Sequence, residues 1–243
     1  ASEDALLQSI DVVGQSLLES EVDEDVVDTF LHAIDVYTDA VEDDDPNTIA
    51  TLNDAVEAAC LSSSSGVAPT GEVTSFEQES FSLSCSSTEV TDDGSVSAST
   101  DEVSVVATGT HGNSSTIAIT TWTNTDFNDT TLLASVQGIS IVDEEDQSYS
   151  EEVEDVDNGV QIAIDLSPVV NLSSSLRKSL SCSYYDVDAA TWSQRGVILR
   201  GMSLTRSNST ITAAAMCVST HLTVRFRISS RVLHCVFVFA FLA

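Results

Sequence analysis

The sequence predicts an α+β protein in which a small helical bundle precedes an antiparallel β-sandwich. Apolar residues in the first sixty positions recur every three or four residues, as on the buried side of a helix. After residue 71 the pattern changes to short alternating segments separated by turn-forming residues. With 243 residues and 42% hydrophobic content, the chain is able to bury a sizeable core. We expect a helical subdomain over 1–60, a linker over 61–71, a β-sandwich over 72–230 and an apolar tail over 231–243.

Three helices are predicted within the first sixty residues. Ser2 is a candidate cap for the first, and Asp45 followed by Pro46 is typical of the start of the third. The expected apolar positions are Leu6, Ile10, Val13 and Leu17, then Val26, Val27, Phe30, Ile34, Tyr37 and Val41, then Ile49, Leu52, Val56 and Ala59. His32 is interpreted as a packed or surface histidine, and we assign it no metal.

The β-sandwich is predicted from nine short segments that follow a linker rich in Ser, Gly and Pro. The expected strands are 73–83, 103–107, 116–122, 132–141, 160–166, 180–184, 197–199, 211–217 and 222–228. The acidic stretch 143–158 is predicted to be an exposed loop. His111 lies in a predicted turn and is expected to face water.

The last predicted strand carries a possible self-cleavage site. Because side chains alternate along a strand, His221 and Thr223 share one face and Leu222 lies on the other. His is suited to take the proton from a hydroxyl near neutral pH. The Oγ of Thr223 is therefore able to attack the Leu222 carbonyl and shift the acyl group from nitrogen to oxygen. Water would then hydrolyse the ester and divide the chain between Leu222 and Thr223.

The segment 182–223 resembles a known motif. It contains Cys182-Ser183-Tyr184-Tyr185-Asp186, then Trp192 to Gly196, then Cys217 and His221-Leu222-Thr223. This order resembles the GPCR proteolysis site (GPS), which closes the GAIN domain of adhesion receptors and polycystin-like proteins. The resemblance implies that His221 is the base, that Thr223 is the nucleophile and that Leu222-Thr223 is the scissile bond. It also implies that Tyr184, Tyr185, Trp192 and Gly196 form the structural core of the motif. The alternative is an uncleaved hairpin.

Four of the five cysteines are candidates for disulfides. The family has four cysteines in the motif, which pair first with third and second with fourth, and here Val197 and Ser219 occupy the second and fourth positions. The resemblance therefore implies a Cys182–Cys217 bond, with two unrelated buried thiols as the alternative. Cys60 and Cys85 flank the linker and are a second possible pair. Cys235 is expected to pack within the apolar tail.

The charge distribution excludes some partners. The net charge is −31, and residues 177–243 hold all 8 Lys and Arg but only Asp186 and Asp188 among the 39 acidic residues. Such a surface repels nucleic acid and anionic lipid headgroups, and it suits a saline, extracellular setting. We expect no cofactor and no dedicated metal site. The acidic runs 42–45 and 143–146 are interpreted as a solvated face, with calcium binding as the alternative.

The extracellular side of a cell membrane is the expected location. Four Asn-X-Ser/Thr sequences are candidates for glycosylation, at Asn113, Asn128, Asn171 and Asn208. The start at Ala1 is interpreted as that of a piece of a longer precursor. The apolar run 232–243 is about half the roughly 20 residues that span a bilayer, and is interpreted as a truncated membrane helix or a frame error.

The strand after the cut is expected to stay paired in the sheet. Alternation predicts that Val224, Phe226 and Ile228 point inward and that Thr223, Arg225 and Arg227 point outward. In the family, the corresponding strand has Phe two residues after Thr and acts as a tethered agonist. Here Phe226 comes three residues after Thr223 and lies between two arginines, so agonist activity is not carried over.

Two functional hypotheses follow. The first is a receptor or channel ectodomain that cleaves itself once, stays bound to its own C-terminal fragment, continues into a membrane and meets an unknown extracellular ligand. Its chemistry is at most a single turnover, without an external substrate. The alternative is a non-cleaving acidic extracellular module that binds cations or a matrix partner.

Overall fold

The computed structural model describes residues 3–18, 22–40, 46–64, 71–108, 113–123, 136–143, 159–166, 180–186, 191–207, 210–220 and 224–230. Three helices come first: α1 Glu3–Leu18, α2 Glu24–Ala40 and α3 Pro46–Ser64. All three were predicted, and α3 begins at Pro46 as expected. It continues through Ser64, so the helix extends into the segment that was expected to be linker.

Twelve strands follow in the described part of the chain. They are β1 Val73–Glu77, β2 Phe81–Glu89, β3 Ser95–Ser99, β4 Val103–Thr108, β5 Ser114–Trp122, β6 Val136–Asp143, β7 Val160–Asp165, β8 Leu180–Asp186, β9 Thr191–Ser193, β10 Val197–Ser207, β11 Thr210–Ser219 and β12 Val224–Ser230. One sheet has the order β1-β2-β5-β6-β12-β8-β9, and the other has the order β10-β11-β7-β4-β3. Their pairings are antiparallel. The predicted α+β class with an antiparallel β-sandwich is confirmed.

The strand boundaries differ from the prediction at several places. The expected single strand 73–83 is a hairpin of β1 and β2, closed where the Gln78 N–H donates to the Phe81 carbonyl at 2.9 Å. β3 and β9 were not predicted. β10 is longer than the expected 197–199, and its pairing register shifts between Leu199 and Gly201. Such a bulge interrupts the simple alternation on which strand prediction depends.

The larger sheet is covered on both faces. Ile117, Ile119, Ile139 and Ile141 belong to the core between the two sheets. Alternate residues of the same sheet belong to a second core, which it shares with the helices through residues such as Leu31, Ile34, Leu52, Val56, Phe81, Leu83 and Trp122. As a result, β5 is buried along its entire length. The helical bundle therefore forms a third layer on the outer face of the seven-stranded sheet.

The buried side of α1 is narrower than predicted. Ile10 and Leu17 are buried as expected, whereas Leu6 and Val13 are 46% and 44% exposed. Gly14 is also buried, and a Cβ at that position would lie 3.2 Å from the Cα of Ala55 on α3. Helices α1 and α3 approach closely at Gly14. The apolar residues at the sides of this contact, Leu6 and Val13, are therefore exposed to solvent. Val26, at the start of α2, is exposed for 49% of its surface and also departs from the prediction.

Two buried polar contacts attach the helices to the sheet. The indole N–H of Trp122 donates to Asn53 Oδ1 on α3 at 3.3 Å. The backbone N–H of Ser80, in the β1–β2 turn, donates to Asp35 Oδ1 on α2 at 2.7 Å. The groups in these two contacts are shielded from water, and each therefore has a hydrogen-bond partner within the protein.

Candidate functional site

The strand that follows the proposed cut lies inside the larger sheet. β12 pairs with β6 on one side and with β8 on the other. Val224 is opposite Ile139, and Phe226 is opposite both Gln137 on β6 and Tyr184 on β8. The expected pairing of this strand in the sheet is therefore confirmed. The inward and outward directions predicted for its side chains lie outside what the structure describes.

The residue directly before the cleavage tripeptide, Thr220, is hydrogen-bonded to a turn. Thr220 follows β11, and its N–H and its hydroxyl both donate to the Gly196 carbonyl, at 2.9 and 3.3 Å. Gly196 has a φ of 71°, which glycine adopts at little cost. Sequence reasoning singled out Gly196 but missed Thr220, whose only signal is its place directly before His221. The end of β11 is thus fixed to the turn that precedes β10.

The proposed catalytic residues and several other predicted features fall outside the described residues. They are Ser2, Val41, Asp45, His111, 42–45 and 144–158 of the acidic stretches, Asn128, Asn171, Asn208, His221, Leu222, Thr223, Cys235 and the tail 231–243. The residues on either side of the cleavage tripeptide are described. Thr220 directly follows β11 of the five-stranded sheet, and Val224 begins β12 of the seven-stranded sheet.

Both predicted disulfides are present. Cys182 on β8 is bonded to Cys217 on β11, with their Cα atoms 6.1 Å apart, and this bond joins the two sheets through the core. Cys60 on α3 is bonded to Cys85 on β2, with their Cα atoms 5.5 Å apart. The pairing that the resemblance implied is confirmed, and so is the second possible pair. Together the two bonds connect all three layers.

The two positions where the family has its other cysteines are direct neighbours in space. Val197 on β10 and Ser219 on β11 face each other in the register, and both are buried. The second and fourth cysteine positions of the motif that this segment resembles therefore lie opposite each other on two paired strands. This observation agrees with the correspondence that the resemblance assigned to these positions.

Tyr184 packs in the core between the sheets, next to the Cys182–Cys217 bond in sequence. Tyr185 and Trp192 are opposite each other in the β8–β9 pairing. Nothing is described of their side chains, so the packing role predicted for Trp192 stays a prediction.

A candidate glycosylation site and a small groove lie outside the cleavage motif. Asn113 is exposed immediately before β5, as a glycosylation acceptor requires. A groove of about 190 Å³ is lined by Asp101, Glu102 and Asp165 among others, and it includes none of the motif residues.

Within the described ranges no group of three or more His, Cys, Asp or Glu is arranged to hold a metal ion. No helix in those ranges is long and apolar enough to cross a membrane.

Comparison with known proteins shows likeness at the level of fold. No protein-family model and no curated protein matches the sequence. The structure is similar to part of the full extracellular region of zebrafish Gpr126/Adgrg6, an adhesion GPCR, with a TM-score of 0.50 and 11% sequence identity. The similarity covers 91% of this chain and 32% of that one, so the chain spans about a third of its length. At this identity the similarity concerns the fold alone.

Proposed function

We propose that this chain is an extracellular receptor domain that cleaves itself once, between Leu222 and Thr223, and keeps its C-terminal fragment in place through β12. One observation carries the proposal: the strand that begins directly after Thr223 lies between β6 and β8 in the seven-stranded sheet. A fragment held in this way remains bound without any covalent link to the rest of the domain.

The proposed chemistry uses three adjacent residues. His221 takes the proton from the Thr223 hydroxyl, and Oγ attacks the Leu222 carbonyl carbon. The C–N bond breaks as the amine leaves with a proton, and the acyl group remains on oxygen as an ester. Water then hydrolyses the ester, giving a carboxylate at Leu222 and restoring the Thr223 hydroxyl. The reaction happens once in each molecule and needs no external substrate or cofactor.

The flanking structure supports such a reaction by fixing both ends of the tripeptide. Thr220 is hydrogen-bonded to Gly196 at the end of β11, and Val224 is paired with Ile139 at the start of β12. These two strands belong to different sheets, which in a sandwich lie about 10 Å apart. Fixed groups on both sides of a reacting peptide bond favour an intramolecular attack.

Retention of the fragment follows from hydrogen bonding on both edges of β12. Separation would expose the paired backbone groups of β6, β12 and β8 together. Both disulfides lie entirely on the N-terminal side of the cut, so neither one holds the fragment covalently. The partner of the domain is thus its own C-terminal strand.

An extracellular location is part of the proposal. Two disulfides in one chain are typical of an oxidising compartment. The proposal includes glycosylation at Asn113, which lies on the surface, and attachment to a membrane through the chain beyond β12. The proposal does not specify the extracellular ligand.

A denaturing gel tests the cleavage directly. The wild-type protein should give two fragments divided at Leu222, whereas Thr223→Ala should give a single full-length band because it has no attacking oxygen. Thr223→Ser should still cut, and His221→Ala should slow cleavage by a factor of about 10² to 10⁴. Fragments ending at Leu222 in the Thr223→Ala protein would identify an external protease. A single band from folded wild-type protein would favour the alternative, a non-cleaving acidic module.

A further inference from the structure

The C-terminal strand lies close to one end of its sheet. Beyond β12 the sheet contains β8 and then β9, a strand of three residues, Thr191–Ser193. On the other side, β6 is paired along its whole length with β5, which is buried on both faces. For β12 to leave sideways, one of its two neighbours has to move. Because the described residues place just the three-residue strand β9 beyond β8 in this sheet, the sheet opens more easily there than at β6.

A disulfide holds β8 at this place. Cys182 on β8 is directly opposite Ile228 of β12, and it is bonded to Cys217 in the other sheet. Cys217 is itself in a firmly held strand, since it is opposite Leu199 on β10 and Ile162 on β7. The strand β8, which pairs with the outer edge of β12, is therefore tied covalently to an inner strand of the opposite sheet.

We propose that the Cys182–Cys217 disulfide is a latch that sets how long β12 stays in the sheet. With the bond intact, β8 cannot move away from β12 without also displacing β11. With the bond removed, the β8–β9 end of the sheet opens more often and β12 is released more often. The part of this proposal that concerns fragment release rests on the proposed self-cleavage. The effect of the disulfide on β12 does not, because it exists whether or not the chain is cut.

The second disulfide provides a matched control. The Cys60–Cys85 bond closes a loop of 25 residues and the Cys182–Cys217 bond closes one of 35 residues. Loop closure depends only on the logarithm of loop length, so removal of either bond should destabilise the whole fold by a similar amount. The Cys60–Cys85 bond joins α3 to β2, which is separated from β12 by β5 and β6. A local effect on β12 is therefore expected from only one of the two bonds.

Native-state hydrogen exchange measured by mass spectrometry tests the latch. All proteins carry Thr223→Ala, which keeps the chain in one piece under the proposed mechanism. We expect amides of 224–230 to exchange at least tenfold faster in the Cys182→Ser/Cys217→Ser variant than in the Cys60→Ser/Cys85→Ser variant. Amides of α3 and β2 should show the opposite order. Equal exchange of 224–230 in the two variants would overturn the proposal.

A second measurement covers the case in which the Cys182→Ser/Cys217→Ser variant does not fold. The Cys60→Ser/Cys85→Ser variant retains only the latch, and dithiothreitol reduces that cystine to two thiols while itself becoming a cyclic disulfide. Exchange is pulse-labelled immediately after reduction of the folded protein, while β5 is still protected. Exchange of 224–230 should then rise at least tenfold, and no change there would overturn the latch. A wild type that never cleaves contradicts the proposed function alone, because both exchange comparisons use uncut protein.

Discussion

At the scale of single residues, Val197 and Ser219 lie in a backbone geometry that would accept a disulfide. The Thr220 N–H donates to the Gly196 carbonyl, so the neighbouring pair, Val197 and Ser219, is a non-hydrogen-bonded pair. Cα atoms in such pairs are about 4.5 Å apart, which is within the range that disulfides accept. The backbone at these two positions is thus suited to a disulfide.

We therefore expect Val197→Cys/Ser219→Cys to form a disulfide. The new bond should raise the free energy of unfolding by about 2 to 4 kcal/mol, because it restricts the unfolded chain. Peptide mapping without reduction detects the bond, and urea unfolding with and without reductant gives its energy. Val197→Cys alone is the control for the change in side chain. Two alkylatable thiols at these positions in the folded double variant would show that the strands are not paired in this register.

Asp35 gives a pH dependence of defined sign. Burial raises the pKa of its carboxyl group, but donors from Ser80 and from the Glu79 backbone, together with the charge of His32, bring the pKa below its ordinary value. The carboxylate therefore stabilises the fold above its unfolded pKa of about 3.9, and this stabilisation is lost as the pH falls through the lower folded pKa.

Asp35→Ala should lower the free energy of unfolding by about 1 to 3 kcal/mol at pH 7, because the Ser80 N–H loses its acceptor. The difference from wild type should shrink in acid as the carboxylate becomes protonated. Urea unfolding at pH 7 and at about pH 2.5 provides the measurement. Asp39→Ala, on an exposed residue of the same helix, should change stability by less than about 0.5 kcal/mol. A constant Asp35→Ala penalty across this pH range would contradict the assignment.

At the scale of secondary-structure elements, Gly138 sets the distance between α3 and the sheet. It lies in β6, and a Cβ built there would be 3.0 Å from the Asn53 Cγ and closer still to Oδ1. The same Asn53 oxygen accepts the Trp122 indole hydrogen. Helix, β5 and β6 therefore meet at one position where only glycine leaves enough room.

Gly138→Ala should destabilise the protein by about 1 to 3 kcal/mol, because the added methyl group displaces Asn53 and its hydrogen bond. Chemical denaturation followed by tryptophan fluorescence measures the loss. Gly201→Ala is the matched control, since a Cβ at that position meets no atom within 4 Å. Equal effects of the two substitutions would show that contact with Asn53 is not the cause.

The elements differ in how far the sequence predicts them. All three helices follow from their 3.6-residue periodicity, and most strands follow from alternation and turn residues. The β1–β2 turn was missed because Gln78, Glu79 and Ser80 include neither Gly nor Pro, and β9 because it has only three residues. The position of β12 in the sheet does not follow from alternation, which identifies a strand but not its neighbours. The disulfide joining the sheets was predictable only through the resemblance, because spacing does not determine cysteine pairing.

At the scale of the whole molecule, the charge of −31 should make stability depend on salt. The Debye length falls from about 30 Å at 10 mM salt to about 8 Å at 150 mM, so added salt screens repulsion across the surface. We expect the melting temperature to rise by roughly 2 to 8 °C over this range, corresponding to about 1 to 2 kcal/mol. Calcium chloride at matched ionic strength is the control for specific binding. A much larger rise with calcium than with sodium would support the cation-binding alternative.

The position of β12 between two other strands also affects how the protein is made. Residues 224–230 leave the ribosome after all the other strands described, yet they fill the gap between β6 and β8. Until they arrive, β6 and β8 both present unpaired edges, and such edges are prone to join with other chains. Under the proposed self-cleavage, the cut would therefore follow folding. The strand that would be separated from the domain by cleavage is the one that completes its assembly.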